Sequence, residues 1–152
     1  MPAFGRKMKN DQIEKIDFSN WPLPDNYLIE IGRITAQWAS LESLLNLCIG
    51  KLAGFDEIFD PKPFILVNHS SIPQKFDILS SLCELLESKF PNLQGYQETI
   101  SKLKAAQKQR NIFLHNGMSL NPETGRIEMS QGSSRGKLKT SIKPINIADI
   151  TL

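Results

Sequence analysis

The sequence predicts a mainly α-helical protein, an up-down bundle of three or more helices with a small C-terminal β-hairpin or strand-like tail. Three observations carry that prediction: a long heptad stripe in residues 26–53, two further helical patterns before residue 117, and an abrupt change to alternating residues beyond it. The 152 residues are enough for one ordinary domain with its own core. The divisions expected are an N-terminal arm (1–24), a helical region (25–117), and a basic strand-like tail (118–152) packed on the bundle or extending it.

The arm is polar, and the prolines of "NWPLPDN" delay any helix start. Trp21 and Leu23 are expected to pin it to the body, and Asp25 to cap the first helix. In that helix Ile31, Ile34, Trp38, Leu41, Leu45, Cys48 and Leu52 recur at alternating spacings of three and four. Leu28, Leu44 and Ile49 broaden the stripe, and Gly54 ends the helix. Next comes a connector broken by Asp60-Pro61 and Lys62-Pro63, in which "FILVN" fits either a short helix or an extended piece. His69 reads as a loop or capping histidine. The second helix is expected over Pro73–Phe90, with Phe76, Leu79, Leu82 or Cys83, Leu86 and Phe90 inward and Pro73 in the first turn. The third covers Tyr96–Asn116, with Gly117 as its stop. Beyond it, "SLNPETGRIEMSQ" and "RGKLKTSIKP" alternate around the turn signal Asn121–Gly125. "INIADITL" could begin a last helix.

Composition narrows the function classes. No apolar run reaches the length of a membrane span, and "MPAFGRKMKN" lacks the apolar core of a signal peptide, so a cytoplasmic protein without membrane association is expected. Cys48 and Cys83 lie in apolar helical patterns and read as reduced, buried thiols. Two Cys and two His at unrelated spacings make no zinc motif, and neither a metal nor a cofactor is expected. The formal net charge is +2, but it is uneven. Residues 1–100 hold nine Lys/Arg against thirteen Asp/Glu, a net of −4; residues 101–152 hold nine against three, a net of +6. The basic end points to an anionic partner, although a merely solvated basic face has the same composition.

The stretch "QRNIFLHNGM" concentrates the chemistry. Asn111 and His115, four residues apart, share one helical face. Arg110 is offset by about 100° from Asn111, within reach of the same space. A histidine, with an ordinary pKa of about 6.5, can take or give a proton. A guanidinium can stabilise charge developing on a phosphate. Metal-free RNA cleavage, with the ribose 2′-hydroxyl as nucleophile, needs those two functions. One helix supplies one histidine, so separate base and acid require two copies, a homodimer with the ends of the third helix facing across its axis. Lys104, Lys108, Arg135, Lys137 and Lys139 are the candidate RNA-binding cations. A helix-capping histidine with a surface arginine would use the same residues.

"RNIFLHNG", Arg then Asn with His five residues after the Arg near a helix end, resembles the signature of the HEPN superfamily. The order of helices over residues 25–117 is similar to the all-α HEPN bundle. The portion Trp38, Leu41, Glu42 resembles the first helix of many bacterial members. The resemblance implies metal-independent endoribonuclease activity of toxin, phage-defence or RNA-processing type, at a composite site in a homodimer. Carried over, His115 is the acid/base, Arg110 binds or stabilises the phosphate, and Asn111 supports them; a toxin would have a cognate antitoxin. Unlike typical members, the chain follows the motif with a strand-like basic tail rather than another helix. Two other readings compete: a non-catalytic dimeric module binding RNA or a protein partner, and a structural interaction protein with an incidental basic face.

Overall fold

A computed structural model describes residues 22–55, 57, 60–133, 136 and 138–150. Within them the chain is mainly helical, with five α-helices and a three-stranded antiparallel sheet toward the C-terminus. The order is α1 (Asp25–Leu52), α2 (Pro61–Val67), α3 (Ile72–Leu86), a 3-10 turn (Pro91–Leu93), α4 (Tyr96–His115), β1 (Gly117–Asn121), β2 (Arg126–Ser133), β3 (Lys139–Pro144) and α5 (Ile147–Ile150). None of the described helices is long and apolar enough to cross a membrane. The described residues group into two compact units: Gly32–Phe113, and those up to Ile31 together with those from Leu114 onward.

In the unit Gly32–Phe113, α1, α3 and α4 share one core. Trp38 and Leu45 meet Phe76 and Ile100, with Leu41, Leu79 and Leu103 among the half-buried side chains around them. The heptad stripe of α1 therefore does what its spacing predicts, except that Cys48 is exposed, as are the flanking Leu28 and Leu44. At the C-terminus of α1 the amide of Gly54 donates to Lys51 O and that of Phe55 to Gly50 O. This pair of bonds needs the positive φ of Gly54, +90°, which glycine adopts without strain.

The prolines expected to break the connector instead start α2. Asp60 is its N-cap, accepting from Lys62 N at 2.9 Å, and Pro61 and Pro63 stand in the first turn, where no amide has an intrahelical acceptor. Pro63 is buried and lies so close to α1 that only a glycine fits opposite it at position 50. Helix α3 starts one residue before Pro73, after Ser71, whose amide donates to Gln74 Oε1 at 2.7 Å. It ends at Leu86 rather than Phe90, and the chain turns through Pro91–Leu93 into α4.

The other unit is built on the sheet, in the order β1-β2-β3. The β1–β2 turn forms because Asn121 Oδ1 accepts from the amides of Glu123 and Thr124, and Gly125 takes φ +65°. Ile127 and Met129 alternate inward on β2. The expected hairpin or strand pair is thus extended by β3, an exposed edge strand that pairs Ser133 with Lys139 and Glu128 with Pro144. Pro144 suits an edge, having no amide to donate. Leu23 is buried as expected, and Pro22 O accepts from Leu120 N; Trp21 lies outside the described residues. Asp25 is not the cap, because Pro24 O already accepts from Tyr27 and Leu28; as the first helical residue it places negative charge where the helix dipole favours it. The predicted last helix exists as α5, where Asn146 N donates to Asp149 Oδ2 and Ile150 is fully buried.

Candidate functional site

Helix α4 carries the predicted group at its C-terminal end. Its inward positions, Ile100, Leu103, Ala106 and Phe113, hold one side against the core or out of solvent, which decides where the polar residues between them lie. Arg110 is half-buried. Its guanidinium lies over the Trp38 ring, Cζ 5.6 Å from the centroid, and its Nη1 donates to Asn111 Oδ1 at 3.0 Å. Trp38 is itself buried and donates its indole N–H to Glu42 Oε1 at 2.9 Å. A buried indole has one donor and it is satisfied here within its own helix, one turn on. The result is a chain of contacts from Glu42 through Trp38 and Arg110 to Asn111, which fixes a flexible cationic side chain.

The structure thus joins two of the three predicted catalytic residues, Arg110 and Asn111. His115 is the last residue of α4 and is exposed. Gly117 does not end the helix in a loop; α4 stops at His115 and the chain enters β1 directly at Gly117.

The candidate RNA-binding cations fare differently. Lys104 binds Asp77 at 3.0 Å, an exposed pair that offsets its charge. Lys108 is exposed on α4, and Lys139 is exposed at the start of β3. Arg135 and Lys137 lie outside the described residues. His69 is exposed in the turn between α2 and α3. Among the described residues no three His, Cys, Asp or Glu side chains are placed to hold a metal ion.

Sequence reasoning read Trp38 as core and left Glu42 without a role. The structure makes both supports of Arg110. The signal was available: a tryptophan on a core stripe needs an acceptor for its N–H, and a carboxylate four residues later supplies one. The stacking of Arg110 was not available, because it depends on the packing of α4 against α1. No family model, curated protein or solved structure matches the chain.

Proposed function

We propose that the chain is a HEPN-like, metal-independent endoribonuclease whose helical unit is an up-down bundle and whose site is shared by two copies. The observation that carries the reading is the fixed guanidinium of Arg110, seated on Trp38 and tied to Asn111, on the helix that ends in the exposed His115. An arginine held in one place stabilises charge on a phosphate without reordering as the charge develops. An exposed imidazole can reach a substrate proton.

In the proposed reaction one histidine takes the proton of a ribose 2′-hydroxyl, whose oxygen attacks the adjacent phosphorus. The P–O5′ bond breaks, and the histidine of the second copy gives a proton to the departing 5′-oxygen. The products are a 2′,3′-cyclic phosphate and a 5′-hydroxyl. Arg110 holds the phosphate oxygens and Asn111 keeps Arg110 in place. The partial negative charge at the end of α4 repels phosphate. The reading assigns Lys104, Lys108, Arg135, Lys137 and Lys139 the task of attracting RNA in spite of that repulsion. The same reading makes RNA the partner, the cytoplasm the location, and a cognate antitoxin the natural regulator of a toxin.

The test is incubation with mixed RNA in EDTA. Cyclic-phosphate ends are expected, and they should vanish in His115→Ala and in Arg110→Ala. Intact RNA across pH and salt, or undiminished cleavage by His115→Ala, rejects the enzyme. A second reading, a non-catalytic RNA-binding module, draws support from the use of Arg110 inside the fold and of Lys104 on Asp77. It predicts RNA affinity that falls steeply with salt and is indifferent to His115→Ala.

A further inference from the structure

We propose that the unit holding the sheet binds a nucleoside phosphate in a cleft between the start of α1 and one end of the three strands. The cleft encloses about 610 Å³, within the range of small-molecule sites. Its lining residues all belong to one compact unit, the one that also contains His115. That the nucleotide comes from RNA rests on the proposed cleavage; that the cleft takes a nucleotide does not.

The strand register builds the floor. Leu120 of β1 pairs with Ile127 of β2, and Ile145 N donates to Ile127 O at 2.9 Å, so three apolar residues form one row across the sheet. Ile127 is buried, and Leu120 and Ile145 are half-buried. Tyr27, in the first turn of α1, lines the cleft beside this row. Its hydroxyl donates to Ile145 O at 3.1 Å, which ties the ring in place. A fixed aromatic ring next to an apolar row is a seat for a base, because every base has a π-face.

The polar groups of the cleft suit the rest of a nucleotide. Arg126, next to Ile127, is exposed, and its guanidinium makes no hydrogen bond or ion pair among the described residues. Its planar fork matches phosphate oxygens. The carboxamides of Asn26 and Asn146 also line the cleft. Asn26 Oδ1 accepts from Tyr27 N at 3.1 Å, which leaves its amide nitrogen to donate. A carboxamide offers both donors and an acceptor, as the polar edge of a base requires. Among the described residues no carboxylate lines the cleft, so the one formal charge in its wall is that of Arg126. Asp149, three residues beyond Asn146, accepts from Asn146 N at 2.8 Å. Strand β1 covers ~14 Å from Gly117 to Asn121, the residue paired with Arg126. An RNA strand cut at His115 would therefore reach the cleft a few nucleotides away, along β1.

Binding to the full chain carrying His115→Ala tests this, because RNA then stays uncut. The probes are adenosine 5′-monophosphate (AMP), inorganic phosphate and a short fluorescein-labelled single-stranded RNA, followed by calorimetry and anisotropy. Arg126→Gln should weaken AMP and RNA at least ~10-fold and lower the salt slope of RNA binding by about one. Tyr27→Leu should weaken both by about 10-fold, and Tyr27→Phe less, since it keeps the ring. Lys89→Gln, an equal loss of charge at an exposed position in the other unit, should change neither. RNA bound more tightly than AMP, and weakened with it by Arg126→Gln, marks a site along a strand. AMP weakened alone marks a site for free nucleotides. AMP that does not bind, AMP binding indifferent to Arg126→Gln, or inorganic phosphate bound as tightly as AMP would overturn the proposal. Failure of the wild type to cut RNA would bear on His115 and leave the nucleotide result standing.

Discussion

Gly50→Ala and Gly32→Ala are the same substitution on the same helix and should move stability in opposite directions. In a helix interior, alanine is favoured over glycine by up to ~1 kcal/mol, because glycine loses more backbone freedom on folding. At Gly32 nothing among the described residues lies within 4 Å of the added Cβ, so the gain should be realised. At Gly50 the Cβ would lie 2.5 Å from Cγ and 2.7 Å from Cβ of Pro63. Both are ring atoms of a buried proline at the start of α2, and the ring cannot swing aside as a long side chain would. Helix α2 must shift as a body, and overpacking of this kind costs about 1–3 kcal/mol. The propensity gain is small so near the end of α1, which leaves a net loss of about 1–2 kcal/mol at position 50. For a chain of this length the melting temperature should fall by roughly 3–6 °C in Gly50→Ala and rise by a few degrees in Gly32→Ala. Thermal unfolding followed by circular dichroism on both variants decides it. A Gly50→Ala protein as stable as Gly32→Ala would mean that α2 does not pack on α1 at this point, and the account of the connector would fail.

Two further expectations follow from the site and the thiols. Arg110→Ala removes a stacked guanidinium and its bond to Asn111, and should cost about 1–2 kcal/mol of stability. His115→Ala, at an exposed position, should stay within about 0.5 kcal/mol of wild type; equal melting curves for both variants would contradict the support drawn around Arg110. The exposed Cys48 should react promptly with a thiol reagent, and Cys83 only on unfolding. Burial, then Cys48 and Glu87 nearby, push the Cys83 thiol above its ordinary 9.0. The folded state thus holds that proton more tightly than the unfolded one, so this group leaves stability intact below about pH 9 and lowers it as pH rises through the raised value. Two equally reactive thiols in the native protein, or an unfolding free energy in Cys83→Ala with the same alkaline loss as wild type, would refute this.

The parts of the fold legible in the sequence are those where one local period controls the outcome. The stripe from Ile34 to Leu45 found the core because apolar residues recurring every three to four positions fall on one side of a helix. The turn at Asn121–Gly125 followed from an asparagine that can cap its own loop and a glycine free to take positive φ. Where two local rules compete, the sequence is ambiguous. Pro61 and Pro63 read as breakers in a connector and as initiators in a helix. The choice fell to the Asp60 cap and to the gap opposite Gly50, a contact between segments that no window of sequence contains. Strand β3 was legible in the alternation of "RGKLKTSIKP", but that alternation does not mark a buried face, because every residue of the strand is exposed at the edge of the sheet.

The candidate site obeys the same division. The spacing of Arg110, Asn111 and His115 is a helical fact and could be read directly. What holds Arg110 is a tertiary fact, and it changes what a substitution there means. An arginine free in solvent could be removed with loss of charge alone. An arginine lying on Trp38 also covers the edge of the core that Trp38 shares with Phe76 and Ile100. Its truncation would uncover that ring and release Asn111 at the same moment. Loss of cleavage in Arg110→Ala would therefore mix chemistry with a loosened helix contact, whereas the same loss in His115→Ala would not. Arg110→Lys separates the two, because it keeps a cation over the ring but gives up the planar fork that can grip two phosphate oxygens. Under the proposed chemistry it should restore most of the stability and little of the cleavage. If Arg110 is only a clamp between α4 and α1, stability and RNA binding should return together.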